Sequence, residues 1–208
     1  VLKREESILL DGPCGALEAL YFHEPSATQL ALICHPNPVK GGTMLNKVVS
    51  TLQRTARDAG YITLRFNYRG VGSSAGSHDM KTGEVDDAEA VARWLLAEHP
   101  GVPLTLLGFS YGGFVAASLA GRLEAAGHPV ARQVLVAPAV ARLDGQALAV
   151  QGPLTIIQPE QDEVIEPETV YAFSAALARP HELLKVAECG HFFHSKLVEL
   201  KDLVAQRL

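Results

Sequence analysis

The sequence predicts an α/β protein: a doubly wound, mostly parallel sheet of about eight strands, with helices on both faces, read as a single domain over residues 1–208. Three observations predict it. Short runs that are apolar throughout recur along the chain, as strands buried on both faces require. Segments with apolar residues at helical spacing lie between those runs. The first two candidate strands are separated by turn residues alone, so the sheet opens on an antiparallel pair.

In chain order, SILL and the alternating ALEALYF flank the turn residues Asp11, Gly12 and Pro13. QLALIC (29–34) is the first continuous apolar run, and from Asn46 onward Val48, Val49, Leu52, Ala56 and Ala59 share one helical face. YITLRF (61–66) is the next strand. The helix after it, from Val85 to Leu96, carries Val85, Ala88, Val91 and Leu95 inward, with Glu84, Asp86 and Asp87 suited to the positive end of its dipole. LTLLGF (104–109) is a strand, FVAASLAGRL a helix, and QVLVA (133–137), LTIIQ (154–158) and ELLKV (182–186) are strands. TVYAFSAALA lies between the last two, and the amphipathic SKLVELKDLVAQRL follows. Leu197, Leu200 and Val204 of that last segment suit a core or an interface equally.

Composition narrows the function. The chain has 208 residues, 48% hydrophobic and 20% charged, enough for one full core. A formal charge of −5 with scattered Lys and Arg lacks the footprint of a nucleic-acid binder. Cys14, Cys34 and Cys189 are odd in number and have no CxxC spacing, which argues against a disulfide framework or cysteine-built zinc site and for a cytoplasmic protein with reduced thiols. No stretch has the length and apolarity of a membrane span. No cofactor or metal is expected, and the oligomeric state is open.

Open parallel sheets gather reactive groups at the carboxyl ends of their strands. There the chain offers Ser110, then Glu160, Gln161 and Asp162, then His191 and His194. Gly108 and Gly112 flank Ser110 in G-x-S-x-G, as a sharp strand-to-helix turn demands where side chains would strike neighbouring backbone. A chance match to that motif has a probability of about 0.07 at this glycine and serine content, so the strand before it and the helix after it must confirm it. A serine hydroxyl needs an imidazole to take its proton, and the imidazole needs an anion to orient it. The order Ser110, Asp162, His191 supplies both. H-x-x-H at 191–194 lacks the i, i+4 spacing of a metal motif. His35 suits a structural hydrogen-bonding role, and Cys34 suits a small buried strand end. Gly70, Gly72 and Ala75 fit a dinucleotide fingerprint, but GSHDMKTG intervenes before the next helix, so no helix N-terminus receives a pyrophosphate.

Across essentially its whole length the chain resembles the α/β-hydrolase family, with that family's Ser, Asp, His order. CHPNPVKGGTMLNKVV, GFSYGG and CGHFFHSKL resemble a small, lidless bacterial branch of predicted serine hydrolases, and FNYRGVGSSAG resembles the loop after the fourth strand. The resemblance implies a catalytic triad of Ser110, Asp162 and His191. Two departures stand out. Pro159 replaces the glycine three residues before the acid, leaving Glu160 and Glu163 as weaker candidates, and Asn67 replaces an Asp, a change expected to touch only packing. The resemblance further implies oxyanion donors: the backbone N–H of Tyr111 and, since Pro36 and Pro38 have none, that of Asn37. Each such donor contributes about 3 kcal/mol of transition-state stabilisation. A family cap would follow the sixth strand, but residues 137–153, with two prolines and two glycines, are too few for one. The expected function is a serine esterase acting on small or exposed esters, with thioester or dienelactone-type lactone hydrolysis as alternatives. A non-catalytic binding protein of the same fold is the rival from another class.

Overall fold

The computed structural model describes residues 4–208. β1 (Glu6–Gly12) and β2 (Gly15–Phe22) form the antiparallel opening pair, and β2 pairs antiparallel with β4 (Ile62–Phe66). From there every pairing is parallel, through β3 (Leu30–Cys34), β5 (Leu104–Phe109), β6 (Arg132–Val136), β7 (Leu154–Pro159) and β8 (Glu182–Val186). The order is β1-β2-β4-β3-β5-β6-β7-β8. The expected doubly wound sheet of eight strands is therefore present.

Helices cover both faces because the central strands are apolar on both. In β3, Leu30, Leu32 and Cys34 face one core, whereas Ala31 and Ile33 face the other, the period-two alternation of a strand. The first core is completed by α2 (Gly83–Glu98), α3 (Tyr111–Ala125) and α4 (Pro167–Ala176). The second is completed by α1 (Lys47–Asp58) and α5 (Leu197–Ala205). Leu200 and Val204 of α5 are fully buried there and Leu197 is partly buried, so the apolar face of this helix belongs to the core. None of the helices among the described residues is long and apolar enough to cross a membrane.

Polar anchors decide details that hydrophobic periodicity cannot. α2 begins at Gly83, two residues before its first apolar position, because Asp79 accepts from the amides of Lys81, Thr82 and Gly83 and caps the helix from outside. Asp86 lies on the surface in an ion pair with Arg122, but Glu84 and Asp87 are fully buried. Their carboxylates hold loops rather than merely facing the helix dipole: Glu84 accepts from the amides of Asp79 and Met80, and Asp87 accepts from the amide and guanidinium of Arg69. Asn67 also does more than pack. Its Oδ1 accepts from the Met44 amide and its Nδ2 donates to Glu18, so it ties the segment leading into α1 to β2. The Gly70 to Ala75 stretch is a turn folded back on β2, with the Ala75 amide donating to the Ala16 carbonyl and the Ser73 amide to Glu18. It opens no helix.

Candidate active site

β5 ends at Phe109 and α3 begins at Tyr111, so the whole reversal falls on Ser110, at φ 57° and ψ −119°. Such a backbone costs a non-glycine residue on the order of 1–3 kcal/mol and persists only where its surroundings hold it. Here the Ser110 amide donates to the Val136 carbonyl, and its own carbonyl accepts from Gly113 and Ala139. The flanking glycines answer to close backbone approach. A Cβ on Gly108 would lie 2.1 Å from the Gly112 carbonyl oxygen, and one on Gly112 would lie 2.1 Å from that of Cys34. The spacing of the motif is thus a packing requirement of the crossing between β3, β5 and α3.

Residues 81 and 29 positions away along the chain converge on His191. Its Nε2 lies 3.0 Å from Ser110 Oγ, and its Nδ1 lies 2.8 Å from Asp162 Oδ2. A neutral imidazole protonated on Nδ1 satisfies both contacts, donating to the carboxylate and accepting from the hydroxyl. The side chain is 2% exposed and its ring is held between Phe109 and Phe192, each with its centroid 4.9 Å away. The other Asp162 oxygen accepts from the Val164 and Ile165 amides. Burial pushes the Asp162 carboxyl up, but its hydrogen bonds from His191, Ile165 and Val164 outweigh this and hold it below the ordinary range. It stays anionic at neutral pH.

The other candidates take other positions. Glu163 accepts from the backbone amide of His191, while Glu160 and His194 are exposed. The replacement of glycine by Pro159 leaves the acid in place, since β7 runs through Pro159 and pairs it with Val186. Gln158 is a residue that the sequence reading missed. It is fully buried, and its amide donates to Asp162 Oδ2. A polar side chain ending the apolar run LTIIQ was the available signal.

The loop after β3 faces the serine. Asn37 precedes a short 3-10 turn (Pro38–Lys40) and closes it by accepting from Val39 through its side chain, while Asn46 caps α1 by accepting from Val48 and Val49. Asn37 and Tyr111 line one cavity with Ser110 and His191. As the first residue of α3, Tyr111 has an amide with no acceptor inside its own helix. His35 anchors the loop from beneath, its Nδ1 donating to the Pro36 carbonyl and its Nε2 accepting from the Tyr68 amide. Burial pushes this imidazole down to about 3. A folded value below the unfolded 6.5 means that the unfolded chain binds the proton first. Stability due to His35 is therefore complete above about 6.5 and is lost as pH falls toward about 3. In urea unfolding from pH 7 down to 4.5, the stability gap between wild type and His35→Gln is expected to narrow progressively. A gap that does not vary with pH would contradict this assignment.

The cavity has a volume of about 300 Å³ and is completed by Lys40, Arg142, Val164, Ile165 and Phe192 among others. No cap closes it: between β6 and β7 the chain forms only a short 3-10 turn, Val140–Leu143, without an inserted helix.

Residues 32–151, more than half of the chain, match the model of the alpha/beta hydrolase fold family. An alpha-beta serine hydrolase homologue from Coxiella burnetii is 36% identical and superimposes with a TM-score of 0.91, over 100% of this chain and 99% of that one. A serine hydrolase without a lid, XC6422 from Xanthomonas campestris, is also 36% identical, with a TM-score of 0.88 over 100% of this chain and 94% of its own. The uncharacterised protein RP471 of Rickettsia prowazekii (strain Madrid E) is 31% identical over 95% of this chain and 86% of its own length. The chain thus belongs to the alpha/beta hydrolase fold family, and the serine hydrolases it resembles include one that lacks a lid.

Proposed function

We propose that the protein is a carboxylesterase that cleaves small or protruding esters through an acyl-enzyme on Ser110, with residues 1–208 forming one catalytic domain. The observation that carries this reading is the hydrogen-bonded chain Asp162, His191, Ser110 opening on an uncapped cavity. The Ser110 hydroxyl attacks the ester carbonyl as His191 Nε2 takes its proton, and Asp162 stabilises the imidazolium that forms. Negative charge builds on the carbonyl oxygen, where the Tyr111 and Asn37 amides donate. His191 then returns the proton to the departing alkoxide. Water repeats the sequence on the acyl-serine and frees the acid. A cavity of about 300 Å³ with no lid admits a short acyl chain and leaves a longer one in water. Three free thiols support a reducing, cytoplasmic location.

The test is labelling of purified protein with a fluorophosphonate probe, alongside turnover of p-nitrophenyl esters from acetate to decanoate and of a thioester. Labelling is expected, with kcat/KM highest for the shorter oxygen esters. A folded protein that neither labels nor turns over any ester would instead be a binding protein that keeps the fold without the chemistry.

A further inference from the structure

We propose that the ester taken by this site carries a carboxylate, held by Lys40 and Arg142 at the mouth of the cavity; the inference rests on the serine-hydrolase reading above. The chain as a whole is acidic, at −5, yet the residues lining this cavity include two basic side chains and no carboxylate. Asp162 lies behind His191, with both of its oxygens engaged. Glu84, beneath Tyr111, is committed to the Asp79 and Met80 amides and the Tyr111 hydroxyl.

Among the described residues neither Lys40 nor Arg142 enters an ion pair, unlike Arg65, Arg69, Arg122 and Arg207. Arg142 is nevertheless held in position. Its guanidinium carbon lies 5.0 Å over the Tyr111 ring, and its Nη1 donates to the Met80 carbonyl at 3.3 Å. Both partners are uncharged, so the charge stays unpaired on the lining of the cavity that holds Ser110, and the rest of the planar fork suits a carboxylate. Lys40 is rooted in a rigid turn: Gly41 is left-handed at φ 82°, and a Cβ on Gly42 would lie 2.3 Å from the Pro36 carbonyl oxygen. Two uncompensated cations beside a small cavity concentrate anions there. Val164, Ile165 and Phe192 give the same cavity an apolar wall. The ligand that fits is a short apolar ester with one carboxylate.

The experiment compares two pairs. Mono-p-nitrophenyl glutarate, charged on the acyl side, is set against p-nitrophenyl valerate; para-acetoxybenzoate, charged on the leaving side, is set against its methyl ester. All rates are divided by the spontaneous rate of the same compound. At low salt, at least one charged ester is expected to exceed its neutral partner in kcat/KM by about tenfold, the size of a hydrogen-bonded charge contact. That ratio is expected to fall toward one in Lys40→Met and Arg142→Met, to survive in part in Arg142→Lys, and to shrink in wild type at high salt. Neutral esters turned over with no preference in either pair overturn this inference alone. No turnover of any ester, with no fluorophosphonate labelling, overturns the hydrolase reading and this inference with it.

Discussion

Ser110→Ala is expected to abolish fluorophosphonate labelling and to lower ester turnover by about 10⁴- to 10⁶-fold, the range seen when a triad nucleophile is removed. His191→Ala should cost about as much, and the double variant scarcely more than either. In the proposed mechanism the hydroxyl and the imidazole 3.0 Å from it perform one proton transfer together, so losing either removes the step. Asp162→Asn tests a different link. An amide in place of the carboxylate keeps the shape of the site but offers a donor to a nitrogen that already carries its proton, which favours the wrong tautomer of His191 and is expected to cost about 10⁴-fold. The measurement is kcat on a short p-nitrophenyl ester with circular dichroism as the folding control. Additive losses in the double variant, or a Ser110→Ala protein still labelled at wild-type rate, would remove Ser110 from the role of nucleophile.

What the sequence discloses and what it conceals divide along a physical line. Strands buried on both faces are mostly apolar, so β3, β5, β6 and β7 stand out as short runs broken by few polar residues, and the residues just beyond their carboxyl ends can be read as neighbours before any contact is known. Gly108 and Gly112 are legible for a similar reason, since close backbone approach tolerates no Cβ and leaves glycine as its mark. The polar supports leave no such mark. Asn67 looks like a conservative exchange in a loop, and only the fold brings the Met44 amide and Glu18 to its two ends. Glu84 and Asp87 look like the acidic first turn of a surface helix until Tyr111 and Arg69 are seen to cover them. Arg142 and Lys40 are far apart along the chain and share a cavity only because β6 and β3 lie on either side of β5. Periodicity reports burial, whereas pairing is a property of the assembled sheet.

Asp87 is where that hidden layer carries the largest structural effect. Its side chain is wholly buried and accepts from the Arg69 amide at 2.9 Å and from the guanidinium at 2.8 Å, and the Arg69 side chain is only 11% exposed. Hydrogen bonding to Asp87 raises the Arg69 pKa, and since a guanidinium stays protonated even without a partner, the arginine cannot shed its charge when Asp87 is removed. Asp87→Ala therefore leaves a nearly buried cation and a buried amide without acceptors, an expected loss of about 3–5 kcal/mol. Against a total stability of about 5–15 kcal/mol that is a large fraction, and in a chain of this size it corresponds to a fall in Tm of about 10 °C. Removing both charges, in Arg69→Met with Asp87→Leu, should recover much of the loss, because an apolar pair of similar volume carries no desolvation penalty. The segment that runs from Arg69 to α2 also supplies Met80, whose carbonyl holds Arg142, and Asp79, whose amide engages Glu84 beneath Tyr111. The single variant should therefore lose kcat/KM at temperatures where it is still folded, and the double variant should regain stability before it regains activity. Thermal unfolding of the four proteins in the cycle decides it: if Asp87→Ala shifts Tm by no more than about 2 °C, solvent reaches Arg69 and the pair does not hold this loop.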